Sequence, residues 1–170
     1  MVVDFDKLDH HAAAITGHVV FCCLGSTKKK TPDLEVYRKI DHDYPLKLAQ
    51  LAKQNDVEQY HLVSAVGANS HSSNFYTKMK GEVEEAIEKV GMNCLHIYQP
   101  SVLTGGRKEP RPTERFIIGL MKVIDSLLIG GLKKYRSIKA ETVASAMFNE
   151  SLKKQEGAFI HTSDKIKLLA

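Results

Sequence analysis

The sequence of 170 residues has little of several features that mark specialised protein classes. It contains no tryptophan and only three cysteines, without a Cys-x-x-Cys pair, so it predicts neither a disulfide framework nor a zinc site. Cys22 and Cys23 are adjacent in an apolar run, so they should point to opposite faces of a strand and cannot bind one ion together. Histidines such as His10, His11 and His18 show no spacing that suits a metal. The sequence therefore predicts no metal site.

Signals for export, membranes and nucleic acid are equally scarce. The chain begins Met-Val-Val-Asp-Phe, without the basic segment that opens a signal peptide. The longest apolar stretch, 116–132, is interrupted by Lys122 and Asp125, so it predicts no membrane span. The net charge of +4 is too small to indicate direct binding to nucleic acid.

Composition and periodicity together predict an α/β fold. Hydrophobic residues make up 43% and charged residues 26%, as in globular proteins, and the length suits residues 1–170 as a single domain. The predicted strands are 2–5 (a strand end), 19–24, 60–64, 93–98 and 158–161, and the predicted helices are 6–14, 37–53, 75–90, 116–128 and 140–153. Pro45 should kink the second helix or mark its restart. Such alternation predicts a parallel sheet, whose ligands bind beyond the carboxyl ends of the strands, where Gly25, Ser64 and Ser101 lie.

Tyr76 and Lys80 are the most informative pair in the predicted helix 75–90. Residues four apart lie one above the other on a helix face, so the ammonium should lie near the phenol and lower its pKa. That arrangement suits proton transfer beside a nicotinamide. Tyr-x-x-x-Lys also occurs often by chance, and a solvated tyrosine on a helix surface is the alternative interpretation.

Several motifs in order resemble the atypical, extended-like branch of the short-chain dehydrogenase/reductase superfamily. They are FCCLGST at 21–27, SAVGA at 64–68, SSNFY at 72–76, KGEVE at 80–84 and QPSVL at 99–103. They look most similar to the Tat-interacting-protein oxidoreductases, NADPH-binding proteins of which some are linked to importin and nuclear transport. The resemblance runs from residue 2 to about 161 and implies a Rossmann-type doubly wound parallel sheet.

The resemblance implies catalytic roles for three residues. Tyr76 would be the general acid/base, and Lys80 would hold the nicotinamide ribose and lower the phenol pKa. Ser64 would orient the substrate, although the serine pair common in the family is here Ser64-Ala65. If the second serine of the pair is the orienting one, that role is vacant.

The resemblance also implies cofactor contacts along the same edge of the sheet. Asp4 would lie by the adenine, and the backbone of Leu24 and Gly25 would pass along the cofactor. Leu103 and Arg111 would close over the nicotinamide and phosphate end. Tyr76 and Lys80 would complete the contacts. The implied cofactor is NADPH rather than NADH.

The glycine-rich fingerprint G-x-x-G-x-x-G of the superfamily does not occur in this sequence. That loop cradles the pyrophosphate on backbone N–H groups at a helix N-terminus. The pattern therefore resembles the carboxyl-terminal two-thirds of a Rossmann domain, lacking its first two strands. We expect this chain alone to bind dinucleotide weakly or not at all. We also expect it to self-associate through the open edge at 19–24.

Two classes of function follow from the resemblance. The first is a truncated NAD(P)(H)-dependent oxidoreductase, which transfers hydride to or from a carbonyl or hydroxyl of an unidentified small molecule. The alternative is a non-enzymatic NADPH-sensing regulator or nuclear-transport protein on the same fold, with an importin or a transcription-related protein as partner. Both imply a cytoplasmic location, with the nucleus as a second one.

Overall fold

The computed structural model describes residues 3–105 and 125–170, and a parallel sheet organises them. Four strands lie in the order β1-β2-β3-β6, all parallel: β1 is Val19–Cys22, β2 is Gln59–Val63, β3 is Cys94–Gln99 and β6 is Gly157–Thr162. A second sheet pairs two short strands, β4 at Leu103–Thr104 and β5 at Ile138–Lys139. The predicted α/β fold with a parallel sheet is confirmed.

Helices connect the strands and cover the sheet. Those with described bounds are α1 (Leu34–Arg38), α2 (Tyr44–Gln54), α3 (Phe75–Glu88), α4 (Ala140–Ser151) and α5 (Ser163–Leu169), with 3₁₀ helices at Phe5–Ala14 and Gly130–Tyr135 and a π-helical turn at Lys39–Asp43. Among the helices of residues 3–105 and 125–170, none is long and apolar enough to cross a membrane.

The two faces of the sheet carry different side chains because neighbours along a strand point to opposite sides. One face presents apolar side chains such as Leu62, Leu95 and Ile97, which join the buried side chains of α2 and α3 in the larger core cluster. On the other face, α4 and α5 contribute to a second buried cluster with Tyr98. The same face carries a row of rings in register across the sheet: Phe21, His61, His96 and Phe159.

The predicted second helix is interrupted where Pro45 suggested. Proline has no backbone N–H to donate to the residue four positions earlier, so the regular α-helical ladder cannot pass through it. The chain makes the π-helical turn Lys39–Asp43 instead, in which the N–H of Tyr44 donates to the carbonyl of Lys39. Pro45 then lies in the first turn of α2, where a missing N–H has no cost.

The amino-terminal prediction is wrong in part. Val3 and Asp4 are not in a strand, because no neighbouring strand among the described residues pairs with them. The predicted helical segment 6–14 is confirmed, as the 3₁₀ helix Phe5–Ala14. Three other predictions lie outside the described residues: Val2, the role of Arg111 and residues 116–124 of the predicted helix 116–128. Of the described remainder of that helix, 125–127 are helical and 128 is not.

Candidate functional site

The carboxyl ends of the strands bring the predicted site segments to one edge of the sheet. The turn Gly25-Ser26 follows β1, Ser64 follows β2 and Ser101 follows β3, and the three strands are parallel neighbours. The backbone N–H of Ser101 donates to Ser163 Oγ over 2.8 Å, which anchors this edge to the start of α5. The predicted gathering of these three segments is therefore present.

A buried ion pair joins α3 to the π-helical turn Lys39–Asp43. Lys80 Nζ lies 2.8 Å from Asp41 Oδ1, and the two side chains are 5% and 1% exposed. The other carboxylate oxygen of Asp41 accepts a hydrogen bond of 2.7 Å from the backbone N–H of Ser26. At Gly25, an added Cβ would lie 3.4 Å from Asp41, so the turn passes close to the carboxylate. Asp41 thus holds both the ammonium and the turn in place.

The π-helical turn places Asp41 in this position. Asp41 and His42 lie consecutively within the turn and are both buried, which the single inward stripe of a regular amphipathic helix would not predict. Single-turn π segments inside helices are frequent at functional sites. The missing N–H of Pro45 therefore has a consequence at the site, because it favours the turn that carries Asp41.

Tyr76 stands at the start of α3 with its ring at the surface of the site. The helix begins at Asn74, whose side chain accepts from the backbone N–H groups of Tyr76 and Thr77 at 2.9 and 3.2 Å. The ring of Tyr76 is 38% exposed and stacks on the buried ring of Tyr37, with centroids 6.5 Å apart. Lys80 Nζ lies 6.0 Å from the Tyr76 ring centroid. The structure therefore brings the predicted pair together.

The expected lowering of the Tyr76 pKa is not found. Burial raises the pKa of Tyr76 above its usual range, and the negative charge of Asp41 raises it further. The ammonium of Lys80 does not offset this, because Asp41 lies 2.8 Å from it and neutralises its charge. The phenol is consequently held in its protonated form, ready to donate a proton.

Close packing beneath α3 fixes the position of Lys80. At the next residue, Gly81, an added Cβ would lie 2.1 Å from the backbone nitrogen of Ser70 and 2.3 Å from the carbonyl carbon of Asn69. Only glycine permits this approach of the loop to the helix. The N–H of Asn69 also donates to the carbonyl of Thr77 over 2.9 Å, so loop and helix hold one another.

Ser64 is near the same edge but makes no side-chain bond to the pair. It is 6% exposed, and its N–H donates to the carbonyl of Tyr98 over 2.7 Å. Its Oγ makes no hydrogen bond of good geometry among the described residues, but it lies close to the buried carboxylate of Glu84. The structure joins Tyr76 and Lys80 but leaves Ser64 separate from them.

The remaining predicted contacts are placed as follows. Leu24 is partly buried and packs on the larger core cluster, while Gly25 forms the turn held by Asp41. Asp4 caps the first 3₁₀ helix by accepting from the N–H of Asp6. Leu103 is 41% exposed in β4. Arg111 lies outside the described residues.

Sequence reasoning missed Asp41 and Tyr37 as parts of the site. Both lie on the predicted helical stripe that also contains Tyr44 and Leu48. A carboxylate on an otherwise apolar stripe is a signal of a buried partner, since buried charges are almost always paired. The partner itself, Lys80, could not be named from that signal.

Comparisons with known proteins agree with this architecture. No family model matches the chain. The chain is 44% identical to the protein HTATIP2 of Rattus norvegicus over 114 residues, which are 66% of this chain and 47% of that protein. It is 32% identical to the mitochondrial protein fmp52 of Aspergillus fumigatus over 157 residues, 91% of this chain and 65% of that protein. The chain thus spans roughly half to two-thirds of the length of these relatives.

Solved structures share the fold at low identity. The enzyme WbmH of Bordetella bronchiseptica, in complex with NAD+, superposes with a TM-score of 0.66 at 14% identity, covering 97% of this chain and 60% of that chain. The dTDP-4-dehydrorhamnose reductase of Bacillus anthracis, in complex with NADP, gives a TM-score of 0.65 at 12% identity, covering 94% of this chain and 61% of that chain. At such identities the likeness shows the fold alone.

The relatives also correct one prediction. A cytoplasmic location with the nucleus as a second one was expected, but this prediction is contradicted, because the fungal relatives that match most of this chain are named as mitochondrial proteins. The resemblance itself is confirmed: the chain is similar in sequence to HTATIP2 and the fmp52 proteins, and it shares the Rossmann-type fold of the solved NAD(P)-binding structures.

Proposed function

We propose that this chain carries the proton-transfer half of an NAD(P)(H)-dependent oxidoreductase, with Tyr76 as the acid/base. One observation carries the proposal: the exposed Tyr76 ring lies at the start of α3, 6.0 Å from the Lys80 ammonium that Asp41 fixes. A bound nicotinamide supplies or accepts the hydride. Tyr76 then gives its proton to the substrate oxygen as a carbonyl is reduced, or takes it back in the reverse direction.

The residues at the edge fit the nicotinamide end of a dinucleotide. An ammonium has more than one N–H donor, so Lys80 can bind ribose hydroxyls while it remains paired with Asp41. The buried hydroxyl of Ser64, beside the carboxylate of Glu84, can bind a polar ligand group at the same edge. The open backbone at Gly25 has no side chain to block a ligand. The sequence contains no G-x-x-G-x-x-G loop for the pyrophosphate, so binding by this chain alone should be weak.

The neighbours of known structure include proteins in complex with NAD+ and with NADP, which supports a nicotinamide dinucleotide as the cofactor class of this proposal. A preference for NADPH over NADH follows from the resemblance alone and belongs to the proposal. Leu103 and Arg111 would contact the cofactor near the nicotinamide and the phosphates, and Asp4 would contact the adenine end.

The test is calorimetric titration of NADPH and NADH into this chain and into a form extended by a strand, G-x-x-G-x-x-G loop and helix at its N-terminus. We expect the extended form to bind the dinucleotide. Lys80→Met should weaken this binding about tenfold or more, because the ribose contact is lost. Lys78→Met is the matched control, since Lys78 lies exposed on the same helix. Equal affinities for Lys80→Met and Lys78→Met would remove Lys80 from the cofactor site.

A non-enzymatic role is the second candidate, and one observation favours it. The raised pKa of Tyr76 makes its phenol a weaker acid, and the alanine at position 65 has no hydroxyl to orient a substrate. The site therefore has fewer groups that could act on a substrate than groups that could bind the cofactor. In that case the same site would sense NADPH, and binding would regulate contact with a protein partner such as an importin or a transcription-related protein. NADPH binding without turnover of any carbonyl substrate would favour this candidate.

A further inference from the structure

Three polar side chains meet on the face of the sheet that is opposite α2 and α3. His96 lies in β3, His161 lies in the neighbouring β6, and Glu150 reaches them from α4. One ring nitrogen of each histidine and one carboxylate oxygen all lie within 4.8 Å of one another. The exposed fractions are 0% for His96, 3% for Glu150 and 9% for His161, so the cluster is enclosed by protein.

The hydrogen bonding of His96 is incomplete. Its Nδ1 lies 2.9 Å from Nε2 of His161, so one ring donates to the other. Its Nε2 is buried and has no hydrogen-bond partner among residues 3–105 and 125–170. If Nδ1 is the donor, Nε2 keeps a free electron pair, and if Nδ1 is the acceptor, Nε2 is an unpaired N–H. Either state costs free energy in a buried site. In the state with the free electron pair on Nε2, a ligand that binds this nitrogen removes that cost.

The surroundings of the two rings suit metal ligation. Both imidazoles are buried, which disfavours their charged form, and metal ions bind neutral imidazole. Glu150 supplies a nearby negative charge. The rings of His61 and Phe159 stack on His96 from both sides and hold its orientation.

We propose that His96, His161 and Glu150 form a binding site for a divalent transition-metal ion of the Zn²⁺ type, with water as a further ligand. Two imidazoles and one carboxylate are a ligand set that zinc uses, whereas Ca²⁺ and Mg²⁺ prefer oxygen ligands. The ligand atoms of the three side chains already lie within 4.8 Å of one another, so a modest approach of these side chains brings them to metal–nitrogen bonds of about 2.0–2.1 Å. The site does not involve Tyr76 or Lys80, so it is independent of the proposed reaction.

Lys153 is the competitor for this site. Its Nζ lies 2.6 Å from Glu150 Oε1, and its side chain is 49% exposed. The ammonium can therefore move into solvent when an ion takes the carboxylate. The free energy of breaking that ion pair opposes metal binding, so removing the lysine charge should strengthen it. A purely structural cluster of buried histidines would show no such response.

The experiment is equilibrium dialysis of the tag-free, metal-stripped chain against Zn²⁺, with Co²⁺ as a spectroscopic probe. We expect one ion per chain and a visible Co²⁺ absorption band typical of nitrogen and oxygen ligands. Glu150→Gln and His161→Asn should each weaken metal binding by at least about tenfold. Loss of a residue that only supports a metal ligand already lowers metal affinity to this extent, and loss of the ligand itself should lower it at least as much. Lys153→Gln should tighten binding.

Surface histidines provide the matched control. His10→Gln with His11→Gln should leave the affinity unchanged, because both residues lie outside the cluster in the first 3₁₀ helix. If His161→Asn fails to fold, as shown by circular dichroism, Glu150→Gln and Lys153→Gln decide the matter. Absence of stoichiometric binding, binding unaffected by Glu150→Gln, or binding lost only in the His10/His11 variant would each overturn the site.

Discussion

Lys80 and Asp41 form an almost completely buried ion pair, with Nζ 2.8 Å from Oδ1, and the pair links α3 to the π-helical turn before α2. The positive charge of Lys80, expected to lower the pKa of Tyr76, is therefore compensated by the Asp41 carboxylate. The same carboxylate also holds the N–H of Ser26 in the turn after β1. One acidic side chain therefore adds to the effect of burial in raising the pKa of Tyr76, and it also holds the turn at the edge where a dinucleotide would bind.

Replacing Asp41 by asparagine should lower the pKa of Tyr76. The charge of Asp41 contributes to raising that pKa, and its loss also leaves the Lys80 ammonium uncompensated beside the ring. Both changes favour the phenolate. Ultraviolet titration of the phenol, with the spectrum of Tyr76→Phe subtracted in each background, measures the effect. An unchanged or higher pKa in Asp41→Asn would contradict this electrostatic account.

The ion pair of Asp41 and Lys80 should also contribute to stability, and the effects of removing its two partners should not be additive. Removing one member of a buried pair leaves an unpaired charge and typically costs about 3–5 kcal/mol. Asp41→Asn should therefore lower the free energy of unfolding strongly. Asp41→Asn combined with Lys80→Met should be less destabilised than the two single changes added together. Urea unfolding of the four proteins in the cycle gives the coupling, and strict additivity would mean that the pair is not formed in solution.

Tyr76→Phe should abolish most turnover and leave dinucleotide binding nearly intact. General acid–base catalysis is typically worth about 10²–10⁴-fold. Because the pKa of Tyr76 is raised, the phenol stays protonated through neutral pH, so carbonyl reduction should stay level there and decline only at strongly alkaline pH. Rates with a panel of aldehydes and ketones, measured on a form that binds the cofactor, provide the test. Tyr44→Phe is the control, and equal rates in both variants would exclude Tyr76 as the acid.

Gly81→Ala should destabilise the protein by more than about 1 kcal/mol, because the new methyl group would overlap the backbone of Asn69 and Ser70. Gly131→Ala is a suitable control, since an added Cβ there meets nothing within 4 Å. Thermal unfolding of the two variants compares them directly. Equal melting temperatures would show that loop 69–70 does not pack on α3 as closely as described.

The chain should self-associate through β1, and Phe21→Lys should suppress this. Among the described strands, β1 has a partner on one side only, and Phe21 is 45% exposed on it. Unpaired backbone groups beside an exposed apolar ring favour edge-to-edge pairing, and lysine on an edge strand opposes it. Sedimentation velocity should show assemblies whose mean mass falls toward that of one chain in the variant. Phe148→Lys, on the exposed side of α4, should have little effect if the β1 edge is the contact.

Local patterns were enough to predict most of the elements. The apolar runs at 19–24, 60–64, 93–98 and 158–161 each contain an observed strand or most of one, and the spacing of Met79, Val83 and Ile87 predicted α3. The pairing of Tyr76 with Lys80 followed from helix geometry alone. Residues 3–5 of the predicted strand end are not in a strand, because a strand forms only where another strand accepts its backbone hydrogen bonds, and no local pattern reports that.

By itself the sequence determined the alternation of strands and helices, the place of Pro45 and the one-turn separation of Tyr76 from Lys80, because each depends on neighbours along the chain. Only the tertiary structure decided that Asp41 neutralises Lys80, that Gly81 lies against Asn69 and Ser70, and that His96 meets His161 and Glu150. These contacts join segments that are distant in sequence. Their partners are chosen by strand order, sheet register and the packing of helices on the sheet, which arise when the whole chain buries its apolar surface.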